Sequence, residues 1–492
     1  MKLLKRYIAL ILLVSPGACI YAQKARNQQP NILFIIADDL GWKDTGFNGS
    51  HFFETPNLDQ LASQGMFFSN AYANAPNCAP SRAAIFSGQY APRTGVYTVG
   101  SSERGETEWR AVIPTPNQHR LDAEKITIAE ALKPAGYTTG FVGKYHLGAS
   151  HDNNGPAEQG FDVNVAGCYN GKPFSYFSPY RHEILEDGPE GEYLTDRLTD
   201  EALKFIDDNK EGPFFLTMAY HSPHTPIQAK LPKMWKYIPK PPSNGQFDPI
   251  YAAMIESLDD NIGRLVDKLE ALGISENTVI FFFSDNGGLH AVTSMKPLKG
   301  FKGMLYEGGI RIPMIVKWPG KVPPGSVCNE PVIGTDLYPT FLELAGATPP
   351  KNYPLDGESV RPLFTRQGKL KRDAIFWHYP VYLQAGYGLN QLWRTTPVGV
   401  IRMGDYKLME FFEDGHLELY NLRNDIGEAN NLATLESEKA KEMLQRMSRW
   451  RKEIGAPFPL EKNPDYDPSS LKLQNKPVRN RERIYYFRKP QG

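Results

Sequence analysis

The chain has 492 residues, 41% hydrophobic and 22% charged, an ordinary globular texture and enough length for one large domain with a smaller companion. Its 55 basic and 55 acidic side chains cancel to a formal net charge of zero, so no global field recruits nucleic acid or an anionic membrane. An anionic substrate has to be caught by local groups.

At the N-terminus, MKLLKRYIALILLVSPGACIYAQ places Lys2, Lys5 and Arg6 before an apolar run from Tyr7 to Val14 and small residues ending at Ala22, the pattern of a secretory signal over 1–22. That run is shorter than the roughly 20 residues a spanning helix needs, so an exported, periplasmic or secreted protein with no membrane span is expected. Cleavage near Ala22 is preferred over lipid attachment at Cys19, because Pro16 stands where an aliphatic residue is required. The mature chain then keeps Cys78, Cys168 and Cys328, an odd count that marks a thiol outside any simple bridge. Cys168 and Cys328 either pair or are buried as small apolar residues.

NILFIIADD is an apolar run without alternation, which suits a strand covered on both faces, and it ends in Asp38 and Asp39. ETPNLDQLASQG follows as a helix with Thr55 as N-cap, Pro56 at the first position and Gly65 as stop. The alternation recurs through the helix TIAEALKPAGY and the strands TTGFVGK and GPFFLTMAY. Next comes a long helix on which Met254, Leu258, Ile262, Leu265, Leu269 and Leu272 recur at helical spacing, then the strand TVIFFFSDNGG. Repeated strand and helix predict an α/β doubly wound, mostly parallel sheet flanked by helices, over 28–370. From 371 to 456, short strands with turn signals at Gly404-Asp405 and Asp414-Gly415, then one helix, predict a smaller antiparallel sheet. Residues 457–492, Pro-rich and charged, are expected to wrap the surface.

Two buried strands thus finish alike, in Asp38 and Asp39 and in Asp285 and Asn286. Ligands of open α/β sheets bind beyond the carboxyl ends of strands, so these oxygen donors are expected to converge on a hard cation, Ca²⁺ in preference to Mg²⁺. Pro80 is expected to open a helix through SRAAIFSG, which sets Cys78 beside exposed amide donors at the positive end of a helix dipole, where an anion sits well.

Cys78, Pro80, Ser81 and Arg82 form a Cys-x-Pro-Ser-Arg motif that resembles the signature of type I sulfatases. GKYHLG, HSPHTP, SDNGG and KGMLYEGGIRIPMIVKWPG continue the resemblance in the family's order along most of the chain. The resemblance implies an alkaline phosphatase-like fold and conversion of Cys78 to formylglycine by a formylglycine-generating or anaerobic sulfatase-maturating enzyme. A hydrated aldehyde carries two hydroxyls, one to take the sulfuryl group and one to collapse and expel sulfate, which a thiol cannot do. The metal set is then Asp38, Asp39, Cys78, Asp285 and Asn286. By the same resemblance Lys144 binds sulfate, His146 takes the second hydroxyl's proton, His224 protonates the leaving group and Lys302 is shared between sulfate and leaving oxygen. Arg82 is expected to brace the formylglycine oxygens and the carboxylates, His221 to pack behind, and Glu307 and Arg311 to be structural.

His290, Trp377, His378 and Tyr379 either line a sugar pocket or pack in the core. The expected activity is hydrolysis of a sulfate monoester, of a sulfated carbohydrate such as a galactose or N-acetylgalactosamine sulfate. The alternatives are a phosphonate or phosphate monoester hydrolase of the same superfamily and an inactive carbohydrate-binding relative.

Overall fold

The computed structural model describes residues 29–365, 368–384, 392–458 and 461–471; the signal expected at 1–22 and the end of the C-terminal extension lie outside them. The main sheet takes its strands in chain order as β1 (Asn31–Ala37), β2 (Met66–Phe68), β3 (Thr138–Gly143), β4 (Val163–Val165), β5 (Phe214–Ala219), β6 (Thr278–Ser284), β7 (Ile315–Lys317) and β8 (Ser326–Cys328). Their spatial order is β4-β3-β5-β1-β6-β7-β2-β8, and β7 runs against the rest. Six helices matter below: α1 (Pro56–Gln64), α2 (Cys78–Ser87), α3 (Leu194–Asn209), α4 (Pro249–Ala271), α5 (Leu337–Ala345) and α6 (Ser437–Ile454).

The unalternating pattern of β1 has a direct cause. Ile32, Phe34 and Ile36 join a core with α2 and α5, while Leu33, Ile35 and Ala37 join a second core with α1, α3 and α4. β6 divides likewise, Phe281 and Phe283 to one face and Ile280 and Phe282 to the other. Each such side chain, fully buried, stabilises the fold by roughly 1.5–3 kcal/mol, so the two-sided packing fixes the register.

That register positions the site. Ala37 lies level with Ser284, and Gly143 with Ala219, so Asp38, Asp285, Lys144 and the segment carrying His221 leave the sheet at one edge.

Helix boundaries differ from expectation in places. α2 starts at Cys78, two residues before Pro80, and so brings position 78 into the first turn. α4 starts at Pro249 because the Asp248 carboxylate caps the amides of Ile250 and Tyr251. The helix at TIAEALKPAGY is a short Ile128–Leu132 that tightens into a 3-10 turn, since Pro134 offers no N–H to continue it.

The smaller sheet is antiparallel, β9 (Ala374–Tyr379), β10 (Val398–Met403), β11 (Tyr406–Phe411) and β12 (Leu417–Asn421) side by side, with Gly404-Asp405 as the tight turn between β10 and β11. α6 closes it, Trp450 stacking on Phe376 with ring centroids 4.4 Å apart. Tyr72, Tyr90, Leu305 and Ile310 of the main body belong to the same apolar cluster, so the two sheets share a core. Among the described residues of the extension, Asn463 Nδ2 donates to the carbonyls of Thr107 and Arg110 at 2.7 and 2.8 Å, which ties it to the main body.

Candidate functional site

At the carboxyl edge of the sheet, side chains of Asp38, Asp39, Cys78 and His224 bring one atom each to within 4.8 Å of one another. Asp39 has φ 63° and His146 φ 65°, left-handed conformations that cost a non-glycine residue about 1–3 kcal/mol and concentrate at functional sites. A glycine makes room for the histidine: a Cβ on Gly171 would stand 2.3 Å from the His146 ring; beyond Asp285 and Asn286, a Cβ on Gly287 would stand 2.0 Å from the Gly308 carbonyl oxygen, so the two segments meet closely there.

The charges interlock. Lys144 Nζ donates to both oxygens of Asp38, at 2.9 and 2.7 Å. Lys302 Nζ lies 2.6 and 2.7 Å from the two oxygens of Asp39 and 3.6 Å from Cys78 Sγ. Arg82 Nε donates to Asp285 Oδ2 at 2.8 Å, and its Nη1 to the Lys144 carbonyl. Asp285 Oδ1 accepts from the Asp39 amide at 3.2 Å, and Asn286 Nδ2 donates to Asp39 Oδ1 at 2.8 Å. All the residues expected at the centre from Asp38 to Lys302 therefore meet there or border it.

Burial pushes the Asp38 carboxyl up to about 8, against the pull of Lys144 and with the Asp285 and Asp39 charges adding to the rise. Asp39 is equally buried, but Lys302, His224 and Lys144 outweigh the desolvation and hold it well below the usual carboxylate range. Burial brings His224 down to about 3 although Asp39 Oδ2 lies 3.6 Å from its Nε2. It also pushes His146 well below its usual value, with Lys144 and Arg82 adding to the shift, so both imidazoles are neutral at pH 7. His224 Nδ1 lies 2.8 Å from the Thr225 carbonyl, which fixes the proton on Nδ1 and leaves Nε2 facing Asp39. Burial raises the Cys78 thiol as well, despite Lys144 and Lys302, so an unconverted thiol is protonated and a poor nucleophile.

The donor set fits a hard divalent cation. Asn286 Oδ1 is buried and accepts no hydrogen bond among the described residues, beside the Asp39 carboxylate to which its Nδ2 donates. In the arrangement described, the ammonium groups of Lys144 and Lys302 are the nearest charges that neutralise those carboxylates. Position 78 likewise fits a residue that bears side-chain oxygens, because Lys302 and the first turn of α2 supply donors there.

Alternatives left open by the sequence resolve here. Trp377 and Tyr379 are core residues, the first donating to the Ala73 carbonyl at 2.8 Å and the second to Thr98 Oγ1 at 2.9 Å; His378 Nε2 lies 2.6 Å from the Pro457 carbonyl. None of these three lines a sugar pocket. The His290 ring packs against Phe301, the residue before Lys302, with centroids 4.6 Å apart and planes tilted by 34°. Cys168 and Cys328 are free thiols. His221 is buried against His182.

Supports invisible in the sequence also appear. Thr98 Oγ1 accepts from Asn77 Nδ2 at 3.1 Å, so Tyr379 reaches the N-cap of α2 through Thr98. The Tyr176 hydroxyl donates to the carbonyls of His221 and His224 at 2.6 and 2.9 Å, holding the turn that aims His224.

The family model described as Sulfatase matches residues 30–347. The chain belongs to the sulfatase family. A model described as N-sulphoglucosamine sulphohydrolase, C-terminal, matches residues 301–453 of this sulfatase. It is 36% identical to a protein named Sulfatase from Formosa agariphila, over 88% of this chain and 90% of that protein. To the N-acetylgalactosamine-6-sulfatase of Homo sapiens it is 34% identical, over 71% of this chain and 68% of that one. A solved structure of Ps i-CgsB in complex with k-i-k-neocarrahexaose is 32% identical, with a TM-score of 0.71 and coverage of 91% of this chain and 95% of that chain. The fold is thus that of sulfatases in the alkaline phosphatase superfamily, and the protein is a sulfuric ester hydrolase.

Proposed function

We propose that this sulfatase is an exported enzyme that removes sulfate from a sulfated carbohydrate, a galactose or N-acetylgalactosamine sulfate, through a formylglycine made from Cys78. The observation that carries the reading is the meeting of Cys78 Sγ with Asp38, Asp39 and His224 within 4.8 Å, with Lys302 at 3.6 Å from the same sulfur. The name of the human relative and the oligosaccharide bound to Ps i-CgsB support the sugar; the signal-like N-terminus supports export. A maturation enzyme of the formylglycine-generating or anaerobic sulfatase-maturating type is implied as a partner.

Asp38, Asp39, Asp285 and Asn286 would hold the cation, taken as Ca²⁺ because a mixed carboxylate and amide set suits its larger, flexible shell. When bound, the cation supplies Lewis-acid polarisation of a sulfate oxygen and lowers the pKa of a nearby hydroxyl. Formylglycine, once hydrated, supplies a hydroxyl nucleophile for sulfur and a second hydroxyl that allows self-release.

The remaining work falls to side chains. Lys144 and Lys302, fixed by their carboxylate contacts, present their remaining N–H bonds to the sulfate oxygens. Arg82 holds Asp285 in its orientation. A sulfate ester in the centre adds negative charge beside His224 Nε2, raises its pKa and suits it to protonate the leaving oxygen. His146, neutral at pH 7, accepts the hydroxyl proton during release.

Mass spectrometry of the peptide containing residue 78, from protein made with a maturation enzyme, is expected to show the aldehyde in place of the thiol. Cys78→Ala should lower turnover of a sulfate monoester by roughly 10⁴-fold while the melting curve stays cooperative. Full activity with an intact thiol, or a preference for phosphate over sulfate monoesters, would remove the reading.

A further inference from the structure

A cavity of about 720 Å³ opens in the seam between the main body and the small sheet, and its walls include Trp42, Arg311, Glu330, Arg372, Arg402 and Arg423. No residue of the candidate centre lines it, although Trp42 belongs to the loop that leaves Asp39. Three of its guanidinium groups are neutralised: Arg311 by Glu307 at 2.8 Å, Arg372 by Asp336 at 2.6 Å and Arg423 by Asp405 at 2.8 Å. Arg402 differs. It is 4% exposed, its Nε donates to the Gly404 carbonyl at 3.2 Å and its Nη1 to the Tyr72 hydroxyl, and among the described residues it makes no ion pair with a carboxylate.

A buried cation without a counter-charge is costly, by several kcal/mol when nothing else compensates it, and a planar guanidinium matches oxyanions through parallel N–H bonds. Glu330 stands on the same wall and makes no ion pair among the described residues. Glu307 reaches Arg402 through the Tyr72 hydroxyl, but it also takes Arg311 and Lys407, so three cations share the carboxylates of Glu307 and Glu428 and one positive charge is left for a group outside the chain.

We propose that this cavity is an oxyanion site, separate from the candidate centre, that takes a sulfate group carried on a sulfated glycan, with Arg402 as its principal partner. The glycan as carrier rests on the functional reading above; the oxyanion site does not. Glu330, as a like charge on the wall, weakens the binding of any anion there.

The test uses the full chain carrying Cys78→Ala, titrated by isothermal calorimetry with inorganic sulfate and with a sulfated carrageenan hexasaccharide. Adding Arg402→Met should weaken hexasaccharide binding by roughly 10-fold or more, and adding Glu330→Gln should tighten it several-fold. In the protein that keeps Cys78, both variants should turn over p-nitrophenyl sulfate within about twofold of the parent, which separates this site from the reaction centre. Inorganic sulfate that binds as tightly as the hexasaccharide, with the same dependence on Arg402, would assign the site to the free anion and overturn the glycan as carrier. Unchanged affinity for both ligands in both variants overturns the site; should Arg402→Met fail to fold, unchanged affinity in Glu330→Gln is sufficient. Absent turnover in the parent with Arg402-dependent binding intact would strike the functional reading and leave the oxyanion site standing.

Discussion

Two buried clusters of charge sit in this molecule, one at the sheet edge around Asp38 and Asp39, the other at the seam around Glu307 and Lys407. In the seam, Lys407 Nζ lies 3.1 Å from Glu307 Oε1 and 2.8 Å from Glu428 Oε1, and Glu307 Oε2 takes Arg311 Nε at 2.8 Å and the Tyr72 hydroxyl at 2.7 Å. Both clusters mix carboxylates with lysine and arginine, so composition does not separate them. What is left over does. The edge leaves an acceptor, Asn286 Oδ1, as a cation site would; the seam sets three cations, Arg311, Arg402 and Lys407, against two carboxylates, Glu307 and Glu428, and so is left with positive charge. What stays unmatched, and its sign, says more about a cluster than its composition.

The largest effect that would sharpen this contrast is on the metal. Removing divalent cations with a chelator should reduce sulfate-ester turnover by roughly 10²–10³-fold, and Ca²⁺ should restore it. Ca²⁺ at about 100 times its dissociation constant should also stabilise the fold by about 2.7 kcal/mol, seen as a rise in Tm, and Asn286→Leu should abolish that rise. If Asn286→Leu keeps the full Ca²⁺-dependent shift, the leftover oxygen is not a ligand and the contrast fails.

His224→Ala comes next. It should lower kcat on a sugar sulfate by roughly 10²-fold and on p-nitrophenyl sulfate far less, because nitrophenolate leaves without a proton. Equal losses on the two substrates would assign His224 to positioning instead of proton transfer.

The smallest expected effect concerns the seam. Burial pushes Glu428 up to about 7, and the Glu307 charge adds to that rise against the pull of Lys407. The native state then holds a proton between about pH 4.5 and 7 that the unfolded chain has released, so this group's contribution is full below pH 4.5 and is lost as pH rises to 7. It amounts to about 2–3 kcal/mol at most. Glu428→Gln should flatten the fall of Tm across that window; a steeper fall in the variant would contradict the burial account.

The edge was legible in the sequence because local patterns carried it. NILFIIADD and TVIFFFSDNGG each declare a strand buried on both sides and a polar terminus, and parallel pairing sets those termini level. The Cys78 motif with its neighbours named the chemistry. The seam was not legible, since Tyr72, Glu307, Arg402, Lys407 and Glu428 come from separate stretches whose encounter depends on docking the small sheet. The aromatic run at Trp377 to Tyr379 stayed open between pocket and core for the same reason: buried rings and sugar-binding rings look alike until their neighbours are known. His224 beside Asp39 and Arg82 across the Lys144 carbonyl are likewise long-range facts.

The level pairing of Ala37 with Ser284 has a consequence for how such a chain can change over generations. One added residue inside β1 would carry Asp38 and Asp39 about 3.3 Å along the strand axis and turn each toward the opposite side of the sheet, separating them from Asp285 and from residue 78. Lengthening of the surface segment 101–119 disturbs no such alignment. Descendants of this chain can therefore lengthen their rims and acquire new sugars, while the strand that bears the acids keeps its residue count.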